Sequence, residues 1–276
     1  MTHPTIAFIG GGNIASSLIG GLIAGGINAR SVIVADPDVN QLERLASRFF
    51  VRTETANDRA CADADIVVLS VKPQIVAEVA AQIKDCVQSR SPLVLSIAAG
   101  IPTTALQAWL GETTAIVRAM PNTPALVGAG ASVLYAAPHT TGSHRSTAES
   151  IMRAAGLVLW VEEESLMDAA TALSGSGPAY FFLMMETLQK AGEQLGLPAG
   201  TARLLTIQTA FGAAKMALES QQELSDLRAG VTSRGGTTEA ALQVLGERHF
   251  PEILIEAVNA AQRRATELAD LLGGKP

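Results

Sequence analysis

An apolar run, Thr5–Ile9, passes straight into Gly10-Gly11-Gly12-Asn13-Ile14-Ala15 and then into a helical pattern over Ile14–Ala24. No other segment of the chain constrains the fold as tightly. A G-x-G-x-x-A turn between a strand and a helix belongs to doubly wound α/β sheets. Gly10 permits the tight turn, Gly12 lets backbone approach a pyrophosphate, and the small Ala15 allows close helix–strand packing. The N–H groups at a helix start are unpaired and lie at the positive end of the helix dipole, so such a turn favours an anion.

The alternation continues through the first half of the chain. Val32–Ala35, Ile66–Ser70, Leu93–Ile97, Ala115–Arg118, Ser132–Tyr135 and Val158–Val161 read as strands. Several are nearly continuous Val, Ile and Leu, as expected of strands covered by helices on both faces. Helical patterns over Asn40–Arg48, Val76–Asp85 and Thr147–Ala155 fall between them. After Glu162-Glu163-Glu164 no period-two segment remains. Helices are expected over Met167–Leu173, Tyr180–Leu195, Thr201–Glu219, Asp226–Gly230, Glu239–Glu247 and Glu252–Leu272, with breaks at Gly196-Leu197-Pro198 and Phe250-Pro251. The expected fold class is α/β. An N-terminal doubly wound Rossmann-type domain over residues 1–163 precedes an all-α domain over 164–276.

The second half carries more apolar side chain than a lone layer of helices can bury, notably Phe181–Met185 and the Ala-rich stretch Thr209–Leu218. Covering that surface with a second subunit removes it from water, so a homo-oligomer with a helical interface is expected. The net charge of −6 argues against nucleic acid as main partner, which demands clustered Lys and Arg. No apolar run suffices to cross a bilayer, and Met1-Thr2-His3-Pro4 lacks a signal layout, so a cytoplasmic protein is expected. Cys61 and Cys86 have neither metal-site nor CxxC spacing, and the histidines are scattered, so no metal is expected.

Asp36 ends the second expected strand, about twenty residues past the glycine turn, where an acid accepts hydrogen bonds from the ribose of NAD and repels the extra phosphate of NADP. Asp36-Pro37-Asp38 also reads as a helix start. No Arg follows Asp36, so ribose chemistry alone points to NADH. Ser70-Val71-Lys72-Pro73 and Ser96-Ile97-Ala98-Ala99-Gly100 lie at the C-terminal ends of expected parallel strands, beyond which ligands bind in open α/β sheets. Lys72 reads as a ligand contact or a plain exposed cation, and residues 98–100 as a ligand wall or a packing corner. Met120-Pro121-Asn122-Thr123-Pro124 is a stiff turn, structural or aimed at a ligand. Ser174-Gly175-Ser176-Gly177-Pro178-Ala179-Tyr180 is a glycine-softened helix start. A second anion turn, Ser233-Arg234-Gly235-Gly236-Thr237-Thr238, suits a substrate carboxylate. Two such turns point to an enzyme rather than a nucleotide-binding module.

Gly10–Ala15, Ser70–Pro73, Ser96–Gly100, Arg118–Pro124, Ser174–Tyr180 and Ser233–Thr238, in this order, resemble the pyrroline-5-carboxylate reductase family, over essentially the whole chain. The last three motifs are specific; the first is shared by many dehydrogenases. The resemblance implies reduction of 1-pyrroline-5-carboxylate to L-proline, the last step of proline biosynthesis, with NADPH as cofactor and NADH as the second choice. It implies cofactor contacts at Gly10, Gly11, Gly12, Asn13, Ile14, Ala15 and Asn57, with Lys72, Pro73, Ala98 and Ala99 as the nicotinamide-side wall. Asp36, Ser70, Val71 and Gly100 complete the expected cofactor-binding set. Ser233, Gly236 and Thr237 match the cradle for the substrate carboxylate, and Thr238, the expected catalytic residue, matches the hydroxyl near the imine nitrogen. An interlocked dimer, often in a ring of five dimers, is implied for the helical domain. Arg234 departs from the family's usual proline, and Asp36 from the small polar residue of many NADPH-preferring members. A β-hydroxyacid reductase would place a catalytic Lys on a helix of the second domain. Lys190 and Lys215, the lysines there before Lys275, lie in no glycine-rich or polar setting. A dinucleotide-binding redox sensor without turnover would have no need of the Ser233–Thr238 turn.

Overall fold

A computed structural model of the chain describes residues 4–274, so His3, Lys275 and the first residues of the N-terminal segment lie outside the described residues. The first part alternates β1 (Ile6–Ile9), α1 (Asn13–Ala24), β2 (Val32–Ala35), α2 (Val39–Phe49), β3 (Arg52–Glu54), α3 (Asn57–Cys61) and β4 (Ile66–Leu69). It continues with α4 (Val76–Arg90), β5 (Leu93–Ser96), α5 (Thr103–Leu110), β6 (Ile116–Met120), β7 (Gly130–Ala136), α6 (Gly142–Arg153) and β8 (Gly156–Trp160). The eight strands form one sheet in the order β3-β2-β1-β4-β5-β6-β7-β8. Strands β3 to β6 run parallel, β7 is antiparallel to β6, and β8 is parallel to β7. The reversal at β7 has a simple cause. Residues 121–129 are fewer than the dozen or so that a parallel crossover requires.

Alternating side chains of the central strands feed two apolar clusters, one on each face. Phe8, Val34, Val68 and Leu95 pack with Leu18 of α1 on one side, and Ile9, Ile33, Val67 and Leu69 pack with Ile83 of α4 on the other. This double burial explains the unbroken apolar strands. The order of β1 between β2 and β4 places a topological switch point at the C-terminal end of β1, where the glycine turn stands.

Local signals moved several boundaries. Asp38 caps α2, its Oδ1 accepting from the N–H groups of Asn40 (2.9 Å) and Gln41 (3.3 Å), so the helix starts one residue before the expected Asn40. Thr141 caps α6 by accepting from His144 N–H at 3.2 Å, while Thr141 N–H donates to His144 Nδ1. This capping box with histidine in place of Glu or Gln starts α6 well ahead of the expected Thr147. The edge strand β3 and the short helices α3 and α5 were not expected, because each is too short for a clear period.

After β8 the described chain is helical: α7 (Leu166–Ala170), α8 (Gly177–Gln194), α9 (Ala199–Glu219), α10 (Leu224–Gly230), α11 (Thr237–Glu247) and α12 (Phe250–Leu272). The helix expected over Met167–Leu173 becomes α7 followed by a π-helical turn, Thr171–Gly175, with Ser176 N–H bonded to Thr171 O at 2.9 Å. The Thr171 hydroxyl donates to Met167 O at 2.7 Å within this segment.

Two compact units result. One runs through Ser176 and resumes at Ala261; the other spans Gly177–Ala260. In the second, α8 packs on α9, with Gly192 facing Ala202. Phe181, Phe182, Leu183, Leu204, Phe211 and Leu218 of this pair are exposed in the single chain, a large apolar surface of the kind that subunit contacts cover.

Candidate active site

At the end of β1 the backbone of Gly10 adopts φ +100°, and its N–H bonds to Ala35 O at 2.8 Å. A Cβ there would meet Ser70 O at 2.7 Å, so only glycine lets β4 approach this closely. The Ser70 hydroxyl donates to Gly10 O at 2.7 Å and ties the end of β4 to the turn. Gly12 is the N-cap of α1 and has no side-chain cap; nothing lies within 4 Å of where its Cβ would stand. The unpaired N–H groups of the first helical turn therefore face open space, which suits a diphosphate.

Asp36 combines both roles that its sequence setting suggested. Its Oδ2 accepts from Gly11 N–H at 2.8 Å, and its Oδ1 accepts from Asp38 N–H at 2.9 Å. The carboxylate thus locks the glycine turn to the start of α2, and Gln41 Nε2 adds a bond to Gly11 O. Asp36 still lines the large cavity beyond the strand ends, of about 1080 Å³. Of the sequence-predicted cofactor residues, Gly10, Gly12, Asp36, Asn57, Ser70, Val71 and Lys72 line this cavity. Asn57 is oriented by a bond from Nδ2 to Gln82 Oε1 at 2.6 Å. Gly11, Asn13, Ile14 and Ala15 build the turn and first helical residues, and Pro73 opens a 3-10 turn beside Lys72. Ala98, Ala99 and Gly100 are not part of the cavity lining; they form the bend after β5, with Gly100 at φ +71°.

Next to that bend lies a buried ionic cluster that sequence reasoning missed, although Arg118 opened one of the quoted motifs. Arg118 is 4% exposed and reaches Glu164 Oε1 at 3.0 Å and Asp168 Oδ1 at 3.8 Å. Glu164 also accepts from Thr103 N–H (2.8 Å) and the Thr103 hydroxyl (2.6 Å), capping α5. Asp168 accepts from the Thr266 hydroxyl of α12 at 2.9 Å. The Met120–Pro124 turn is fixed by Asn122, whose amide donates to Ser174 O at 3.2 Å and accepts from Ala131 N–H at 2.9 Å. A run of three glutamates ending at Glu164 gave no sign that one of them is drawn inward.

In the second unit, Ser233–Gly236 closes by a bond from Gly236 N–H to Ser233 O at 3.0 Å, with Gly235 at φ +73°. Gly236 is the N-cap of α11 without a side-chain cap, so Thr237 and Thr238 are its first helical residues. The helix begins two residues before the expected Glu239, and Glu239 Oε2 accepts from Gly235 N–H at 2.6 Å to brace the turn. Thr238 is half-buried, while Ser233 and Thr237 are exposed. Lys190 and Lys215 pair along their own helices with Glu186 (2.6 Å) and Glu219 (3.7 Å) on solvent-facing surface, which leaves neither in a catalytic setting. No group of three or more His, Cys, Asp or Glu suited to a metal occurs among the described residues.

A mostly parallel sheet with a switch-point glycine turn and a cavity at its strand ends defines a dinucleotide-dependent oxidoreductase. Residues 5–100 match the family described as NADP oxidoreductase, coenzyme F420-dependent, and residues 164–268 match pyrroline-5-carboxylate reductase dimerisation. The chain is 48% identical to a pyrroline-5-carboxylate reductase of Pseudomonas aeruginosa, over 99% of this chain and 100% of that one. It superposes on the structure of a pyrroline-5-carboxylate reductase from Coxiella burnetii with a TM-score of 0.93 at 46% identity, covering 97% of this chain and 99% of that chain. The Plasmodium falciparum pyrroline carboxylate reductase, solved with NADP bound, gives 0.86 at 29% identity, covering 98% and 99%. The chain belongs to the pyrroline-5-carboxylate reductase family.

Proposed function

We propose that the two glycine turns divide the work of this reductase, Gly10–Ala15 holding the cofactor diphosphate and Ser233–Thr238 the substrate carboxylate. The enzyme reduces the C=N bond of 1-pyrroline-5-carboxylate with NAD(P)H and forms L-proline. The observation that carries the cofactor half is the uncapped start of α1 at Gly12, open to the strand-end cavity. A bound reduced nicotinamide supplies the hydride that reduces the imine carbon.

The chain's own residues bind and orient. Gly236 leaves the N–H groups at the start of α11 free of a side-chain cap, and these, with the Ser233 and Thr237 hydroxyls, hold a carboxylate at the positive end of the helix dipole. Thr238, on the same turn, donates or orients a hydrogen bond at the ring nitrogen; its hydroxyl is too weak an acid to serve as general acid. An iminium carries the positive charge that draws hydride, so no strong acid is required. Positioning then supplies most of the acceleration, about 7–11 kcal/mol in well-oriented cases. In this reading Lys72, Pro73, Ala98 and Ala99 serve as the nicotinamide-side wall, Lys72 from the cavity lining and Ala98 and Ala99 from the bend after β5 beyond it, while Asp36 and Asn57 serve the adenosine side.

The functional division falls at Glu163/Glu164, with dinucleotide binding in 1–163 and substrate binding and self-association in 164–276; the dimerisation match to 164–268 supports it. The exposed faces of α8 and α9 suit self-association through the helical domain, as a dimer or a ring of dimers. The enzyme works in the cytoplasm; no described helix is long and apolar enough to cross a membrane.

The test is an absorbance assay at the nicotinamide band with pyrroline-5-carboxylate. Thr238→Ala is expected to lower kcat/KM about 10- to 100-fold, the worth of one hydrogen bond to a charged group, with cofactor affinity unchanged. Equal activity in both proteins removes Thr238 from the chemistry. Folded protein that binds dinucleotide without turnover overturns the reductase reading in favour of a sensor.

A further inference from the structure

Cys61 and Cys86 are free thiols with no part in the chemistry above. Cys61 ends α3 and is fully buried. Cys86, on α4, is half-buried and packs against the apolar cluster that contains Cys61. The two thiols share a hydrogen bond. Cys86 Sγ also donates to Asp58 O of α3 at 3.5 Å, so the thiol sits directly over that helix. A second cross-helix contact lies one turn away. Asn57 Nδ2 donates to Gln82 Oε1 at 2.6 Å, and both residues line the strand-end cavity. Cys61 follows Asn57 on α3, and Cys86 follows Gln82 on α4, each by four residues. Residues at that spacing are neighbours on a helix surface, so the thiol pair stands directly behind the cavity pair.

We propose that Cys61 and Cys86 form an oxidation site, closing to a disulfide that weakens dinucleotide binding at the cavity one turn away. The disulfide rests on the thiol contact alone; its effect on binding rests also on the reductase reading above. The oxidant is a peroxide. Cys86, the accessible thiol, attacks as thiolate; the O–O bond breaks, Cys86 becomes a sulfenic acid, and the departing hydroxide takes up the thiol proton as water. Cys61 then attacks the sulfenic sulfur. The S–S bond forms, the S–O bond breaks, and the Cys61 proton leaves with the hydroxyl as a second water. Two thiols and one hydrogen peroxide thus give one disulfide and two waters. The order follows from burial, which shields Cys61 and holds it protonated, so it resolves rather than initiates. Closure draws the sulfurs from non-bonded contact to about 2 Å and pulls α3 toward α4. Asn57 and Gln82 move with those backbones, and a dithiol reverses the change.

The experiment treats the folded full-length protein with hydrogen peroxide, removes the oxidant, and titrates with NADPH and NADH by nicotinamide fluorescence. Trypsin cleavage after Lys84 separates the two cysteines, so non-reducing digestion should show peptide 60–84 joined to peptide 85–90. Oxidised protein is expected to bind dinucleotide about fivefold more weakly, and a dithiol should restore the affinity. Cys86→Ser and Cys61→Ala should bind as the reduced wild type does and keep that affinity after peroxide. Cys61→Ala should stop at the Cys86 sulfenic acid, which dimedone traps. Absence of the joined peptides overturns the oxidation site. Joined peptides with unchanged affinity overturn the coupling to the cavity, as does a loss of affinity that both variants share. Failure of the reduced wild type to bind either dinucleotide strikes the reductase reading instead.

Discussion

Replacing Arg118 with methionine removes the cation that Glu164 and Asp168 share. The three side chains are 5%, 20% and 15% exposed, so the two carboxylates left behind would face each other with little water to screen them. Breaking a buried ion pair by deleting one partner costs about 3–5 kcal/mol, and the surplus carboxylate places Arg118→Met toward the upper end. Glu164→Gln is milder. Its amide oxygen still accepts from Thr103 N–H, and Arg118 keeps Asp168, so the cost is about 1–2 kcal/mol. At about 2–4 °C per kcal/mol for a chain of this order of length, Arg118→Met should lower Tm by about 6–20 °C. Thermal and urea unfolding at a fixed protomer concentration would measure both, since self-association makes the midpoint concentration-dependent. The ranking is the sharper part of the prediction. If Arg118→Met falls within about 1 kcal/mol of wild type, or if Glu164→Gln costs more than Arg118→Met, the cluster does not hold these elements together by charge.

Gly156 sits at φ +143° with its Cβ position driven into the Gly130 backbone of β7, so Gly156→Ala should leave little folded protein in a soluble-expression assay. Gly142→Ala at the start of α6, where a Cβ meets nothing within 4 Å, should be neutral or stabilise by up to about 1 kcal/mol. Burial, reinforced by the Cys86 thiol and Asp58, pushes the Cys61 thiol from 9.0 up to about 12. The folded chain thus keeps a proton that the unfolded chain releases, so this contribution is whole below about pH 9 and lost as pH rises toward 12. Urea midpoints from pH 8 to 10.5 should fall more steeply for wild type than for Cys61→Ala, and parallel slopes would refute the assignment.

The strands of the parallel core were legible because helices cover both faces and demand unbroken Val, Ile and Leu, as in Ile66–Leu69. The glycine turn was legible because φ +100° at Gly10 and the close approach of Ser70 O leave no other residue type. What stayed hidden depended on partners remote in sequence. Arg52–Glu54 is a strand only because β2 offers an edge, and Glu164 looks like one more surface acid until Thr103 and Arg118 turn it inward. His144 as a capping-box partner carries no familiar signature. The dual role of Asp36, brace and cavity wall, needed coordinates because both readings fit the same three residues.

The bond from Thr266 to Asp168 spans 98 residues of chain, and Leu268 of the same helix lies beside Gly100. On a ribosome adding about 5–20 residues per second, Asp168 is made about 5–20 s before its partner. During that interval the nucleotide-binding unit exists as a nascent intermediate, its ionic cluster lacking the Thr266 hydroxyl and its β5 bend lacking Leu268. Synthesis of the whole intervening helical unit must finish before the first unit can close.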